Sequence, residues 1–136
     1  MIRVLDEQQA YELLTTTTIG RIGFVREGRV QIYPVNFALS GRDLMLRTSP
    51  EGVLADLTRE PAVQASFEVD YHDPLGSTAW SVLVHGALSR VADDEAAGIA
   101  ARVNPWAGEG RDLPLALRVE SIAGRSVRRE SARGKI

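Results

Sequence analysis

The chain has 136 residues, the size of one ordinary domain, and 16 Lys+Arg against 18 Asp+Glu leave a formal net charge of −2. An apolar fraction of 44% and a charged fraction of 25% exclude a disordered chain and a strongly basic nucleic-acid binder, and no apolar run is long enough for a membrane-spanning helix. The absence of cysteine excludes thiolate nucleophiles, disulfides and thiolate-held metal clusters, and two histidines, His72 and His85, are too few for a three-histidine site.

The opening MIRVLDEQQA carries neither an apolar signal core nor an arginine-rich amphipathic pattern, so a cytoplasmic setting is expected. Asp6 with Gln9 three residues on forms a capping-box pattern, and Ala10, Leu13 and Leu14 give the following helix one apolar face. The threonine run 15–18 ends it, because β-branched residues favour strands. TIGRIGFVRE and RVQIYPVNFAL read as strands joined at Glu27-Gly28, and a turn at Ser40-Gly41-Arg42-Asp43 leads into DLMLRTS, completing a meander. Pro34 demands a bulge or a free edge in the middle strand.

Ser49 as N-cap, Pro50 at the first helical position and Glu51 in the first turn predict a short helix with Val53, Leu54 and Leu57 as its stripe. Residues 62–72 alternate strictly: Val63, Ala65, Phe67, Val69 and Tyr71 on one face, Gln64, Ser66, Glu68, Asp70 and His72 on the other. After the turn at Asp73-Pro74-Leu75-Gly76, residues 79–91 form a long strand with Trp80, Val82, Val84 and Leu88 on one face. A third helix is expected from Asp93 or Asp94 through Val103, and a final strand over roughly 115–127. Six mostly antiparallel strands with few helices suggest a small closed barrel. Residues 1–128 read as one domain and 129–136 as a flexible tail.

Three segments carry residue types suited to a ligand. Arg47-Thr48-Ser49 combines a guanidinium with two hydroxyls where a strand gives way to a helix, a credible phosphate cradle as well as a plain cap. Pro34-Val35-Asn36 interrupts an apolar strand with a ladder breaker and an amide. Trp80-Ser81 offers a flat ring beside a hydroxyl, although tryptophan most often serves the core. Glu68 and Asp70 read as a solvated acidic face, and His85 as a surface or interface histidine. No Ser-His-Asp set, metal spacing or dinucleotide fingerprint can be assembled.

The order of a helix, GRIGFVREGRVQIYPVNFAL, DLMLRTSPEGVLADL, PAVQASFEVD and AWSVLVHGALSRV resembles the pyridoxamine 5′-phosphate oxidase-like family of flavin-binding split barrels. Within it the chain looks closest to the short, nitroimidazole-reductase-like branch, over about residues 5–125. The resemblance implies a mainly β fold, a six-stranded antiparallel split barrel of the FMN-binding type with short helices. It implies a homodimer with one FMN at each end of the interface, acting as an oxidoreductase on a small molecule, with no membrane or nucleic-acid partner. By position, Arg47, Thr48 and Ser49 would hold the FMN phosphate, and Pro34, Val35 and Asn36 would lie along the isoalloxazine edge. Trp80 and Ser81 would complete the ring pocket; the resemblance names no catalytic side chain and no metal. Many relatives carry a basic residue where this chain has Val53, and the C-terminal substrate segment of the vitamin B6 oxidases is missing, so vitamin B6 oxidation is not expected. The alternatives are a deazaflavin-coenzyme-dependent reductase and a non-catalytic flavin-binding or storage module.

Overall fold

The computed structural model describes residues 1–92 and 113–129, together with Asp94, Glu95, Gly98 and Val103. Most of the expected third helix, and the tail beyond Arg129, lie outside the described residues. In chain order the elements are β1 (Ile2–Leu5), α1 (Glu7–Leu14), β2 (Ile19–Arg26), β3 (Arg29–Ser40), β4 (Asp43–Thr48), α2 (Val53–Leu57), β5 (Val63–His72), β6 (Thr78–Arg90) and β7 (Leu113–Arg128).

The strands pair antiparallel in the order β1-β7-β4-β3-β2-β5-β6, and β6 returns to β7, so six strands close into the expected ring. β1 is a seventh strand outside it, which the sequence reading did not identify. Its Ile2 and Val4 are exposed, so its apolar positions mark no buried face. β7 is the common wall: β6 follows it from Leu115 to Arg128, while its other edge is divided between β4 at Leu113–Leu117 and β1 at Gly124–Val127.

Period-two alternation decides what lies inside. Ile22 and Phe24 of β2, Leu44 and Leu46 of β4, Phe67 of β5, Val82 and Val84 of β6, and Leu115 and Leu117 of β7 fill the barrel. The capping box of α1 is present: Asp6 Oδ1 accepts from the Gln9 amide at 2.8 Å and Gln9 Oε1 from the Asp6 amide at 3.0 Å. The threonines end the helix through their hydroxyls, Thr15 and Thr16 donating to the Glu12 and Leu13 carbonyls.

Two local expectations are corrected. Ser49 does not cap α2 and Pro50 is not its first residue; Gly52 is the N-cap and the helix begins at Val53. The Gly52 amide donates to the Ser49 carbonyl and the Glu51 amide to Ser49 Oγ, so Ser49–Gly52 folds as a tight turn that uses up the capping oxygen. Tyr71, expected inside with Phe67, is 55% exposed. β5 pairs with β2 only at Ser66–Glu68, and the exposed residues 70–72 run past that ladder with β6 as their one strand partner among the described residues. At Pro34 the strand has a free edge and no bulge: it pairs unbroken with β2 opposite Arg21, while β4 reaches β3 only at Phe37–Ser40.

Gly20 leaves room for the Phe67 ring, which is fully buried and meets Phe37 edge-on at 4.8 Å. A Cβ at Gly20 would stand 2.2 Å from Phe67 Cζ. Gly20→Ala is expected to lower stability by about 1–3 kcal/mol, the usual cost of overpacking. Denaturant midpoints check this, with a double-mutant cycle: in the Gly20→Ala background Phe67→Leu should cost less than it does alone, and strictly additive losses would deny the clash.

Candidate functional site

The β3–β4 ladder ends at Phe37–Leu46. Continued by one and two positions, its register would set Asn36 against Arg47 and Val35 against Thr48, so two of the three sequence-selected segments flank one point where the strands cease to pair. Val35 packs on the barrel core, and Asn36 Nδ2 donates to the Thr18 carbonyl at 3.3 Å. Pro34 is exposed beside them. Across the gap, Thr48 turns inward and is buried. Arg47 points outward, where Nη1 donates to the Val103 carbonyl at 2.9 Å next to a small outer cluster of Met45, Val103 and Ala116. Ser49 follows on the tight turn. A guanidinium and a serine hydroxyl at a strand end suit a phosphate group, so the donor set fits the expected nucleotide.

The third segment is not joined to these two within one chain. Trp80 and Ser81 lie on β6, reached from β3 through β2 and β5, roughly 14 Å away at the ordinary spacing between strands. Trp80 is half-buried against the core, with its ring 6.4 Å from that of Tyr71. Ser81 pairs with Asp70 of β5 and Arg125 of β7.

Beside both groups, further along the same strands, runs an outer apolar face, while Arg21, Glu68 and Asp70 lie between them. Val25, Val30, Ile32 and Leu83 are 64, 72, 62 and 41% exposed on neighbouring strands of the wall. They line a groove of about 640 Å³ with Gly23, Ser66 and His85. Exposed apolar side chains from three strands along one groove are the kind of surface that a partner covers. Its polar margin is an ion cluster: Arg21 Nη1 lies 3.1 Å from Glu68 Oε1 and 2.9 Å from Asp70 Oδ2. The Glu68 carboxyl is raised to about 7, by burial first and then by the Asp70 carboxylate, against the pull of Arg21. Asp70 is lowered, chiefly by the hydrogen bond from Glu68. Ser66 Oγ and His85 Nδ1 lie 2.8 Å apart on the same face. The signal was present in the sequence, because Arg21, Gly23 and Val25 alternate with the buried Ile22 and Phe24, but only register reveals which charges meet.

Among the described residues, no cluster of potential metal ligands exists and no helix is long and apolar enough to cross a membrane. A family model described as pyridoxamine 5′-phosphate oxidase matches residues 6–126. The uncharacterized protein Rv0080 of Mycobacterium tuberculosis is 31% identical over 124 residues, covering 88% of this chain and 82% of its own. The FAD binding protein from Mycobacterium smegmatis superposes with a TM-score of 0.77 at 27% identity, covering 92% of this chain and 98% of its own. A FAD-binding protein from Mesorhizobium loti shares the fold, with a TM-score of 0.73 at 20% identity over 93% of this chain and 96% of its own.

Proposed function

The chain belongs to the pyridoxamine 5′-phosphate oxidase-like family of flavin-binding split barrels, and from that premise we propose that it binds a flavin nucleotide as a homodimer and serves as an oxidoreductase for a small molecule. The FMN moiety, common to FMN and FAD, is the group held. One observation carries the reading: the two candidate groups, Pro34–Asn36 with Arg47–Ser49 and Trp80 with Ser81, lie on strands that β2 and β5 keep apart, and an exposed apolar wall runs beside both. A second copy seated on that wall, related by a two-fold axis, would bring its own Trp80 and Ser81 toward this chain's Pro34–Asn36 and Arg47–Ser49.

In that arrangement Arg47 and Ser49 bind the phosphate, Asn36 and the Pro34–Val35 backbone border the ring, and the partner copy's β6 shields the ring from water. The bound flavin supplies the electron transfer; the protein's part is to bind, orient and exclude solvent. No side chain need act as an acid or base.

The absorbance spectrum of the protein as isolated, with mass spectrometry of any released ligand, tests this. Expected are flavin bands that bleach on reduction and elution at twice the chain's mass. A protein that stays colourless after FMN and FAD are added would overturn the cofactor, and a monomer that binds flavin tightly would overturn the shared pocket. Bound flavin that no reductant turns over would leave a binding module and remove the oxidoreductase.

A further inference from the structure

β1 pairs with β7 from Ile2–Val127 to Leu5–Gly124, and among the described residues no strand pairs with its other side. Met1 and Arg128 exchange both backbone bonds, at 2.8 and 3.0 Å. The alternation of an antiparallel ladder then makes Arg3–Ser126 the next bonded pair and turns the N–H and C=O groups of Ile2 and Val4 to the free edge. Side chains alternate as well. Ile2 and Val4, 63 and 82% exposed, share a face with Val127 and Arg125 of β7, while Arg3 shares the other with Ser126 and Arg128. An open edge flanked by uncovered apolar side chains is a template for an added strand.

Charge decides which strand. Arg3, Arg125, Arg128 and Arg129 have no ion pair among the described residues. The carboxylates next to them are taken: Asp6, which follows β1, caps α1, and Asp73, which lines a cavity with Val127 and Arg129, accepts from the Leu75 amide. A second copy's β1 paired in register would set Arg3 against Arg3, which repels. An acidic strand meets the opposite sign.

We propose that β1 is a docking edge for an extended acidic segment of another protein, which adds antiparallel with apolar residues over Ile2 and Val4 and a carboxylate opposite Arg3. The peptide residues facing Ile2 and Val4 make the backbone bonds, and the acid facing Arg3 occupies the position where opposed side chains lie closest. β1 lies two strands beyond Trp80 and Ser81 and outside the apolar groove, so the docking edge is independent of the flavin reading.

Four backbone groups and one charge pair make a weak contact, which suits an NMR titration. Short capped peptides of alternating valine and glutamate, and of alternating valine and lysine, are added to the isotope-labelled full chain. The glutamate peptide is expected to shift the amides of Ile2–Leu5 saturably and to bind about fivefold tighter than the lysine peptide. Arg3→Glu should reverse that order, and because Arg3 is exposed the variant keeps its fold. Methylating the valine nitrogens, which face β1 in this register, should abolish binding by removing the donors. No shift at Ile2–Leu5, equal binding of the two peptides, or undiminished binding of the methylated peptide would overturn the proposal. Val4→Asp sedimenting as a smaller species than the wild type would give the edge to a second copy. Binding to phosphatidylserine vesicles that Val4→Asp abolishes, without peptide binding, would give it to a lipid surface; either result overturns the acidic strand.

Discussion

Ile32→Asp is expected to abolish self-association at micromolar concentration, raising the dissociation constant by at least about a hundredfold, because a carboxylate on a two-fold interface is desolvated in both copies and meets its own image. Ile32 is 62% exposed on β3 and contributes nothing to the barrel interior, so the variant should keep its fold and melt as a monomer. Flavin affinity should fall with the dimer, since Trp80 and Ser81 would no longer arrive from a second chain. Sedimentation velocity across a concentration series is the measurement, and wild-type association by the variant would show that this wall is not the interface. The same experiment has a pH arm. Glu68 already holds its proton up to about pH 7, and covering it would disfavour its charged form further. Association therefore takes up protons: it should weaken as pH rises above about 7 and level off below it. Arg21 and Asp70 border Glu68, His72 acts on Asp70 and His85 lies on the same face, so Glu68→Gln is needed to isolate its part; that variant should flatten the profile above pH 7.

Among the described glycines, Gly86→Ala is expected to be the most damaging substitution. At Gly86 the β6–β7 register slips, and a Cβ there would stand 2.2 Å from the Arg118 carbonyl oxygen. At Gly20 the obstacle is a ring that can tilt. Here it is backbone, held in the longest ladder of the barrel, with Leu117 Cδ1 at 3.3 Å behind it. Relief requires β6 and β7 to part locally, and a cost of about 3 kcal/mol or more follows, the upper end for overpacking. For a chain of this size that corresponds to a fall of about 10 °C in melting temperature. Calorimetry checks it; a loss under about 1 kcal/mol would mean that the bulge absorbs the methyl group.

Much of this fold could be read from the chain because its strands bury one face only. The alternation in residues 63–70 and 79–88 announces β5 and β6, and the turns at Glu27-Gly28, Gly41-Arg42 and Asp73–Gly76 fix the order of neighbours. β1 gave no such sign, since Ile2, Arg3 and Val4 are all exposed. α2 misled because Ser-Pro-Glu has the composition of a helix start, while the turn beneath it claims Ser49 for local bonds. Pro34–Asn36 and Arg47–Ser49 stood out as residue types, and the end of the β3–β4 ladder at Phe37–Leu46 leaves the two segments flanking the same point. The Arg21–Glu68–Asp70 and Arg26–Asp56–Arg59 clusters were not legible, because each joins elements distant in the sequence through contacts that only the closed barrel creates.

The position of β7 bears on how the molecule assembles during synthesis. β1, β4 and β6 all precede it in the chain, and all three leave an edge open until residues 113–128 are made. A nascent chain shorter than this exposes three sticky flanks at once, the condition under which strands recruit wrong neighbours. Closure is thus a late, long-range event: the meander can form on the ribosome, but the barrel must wait for release of its final stave.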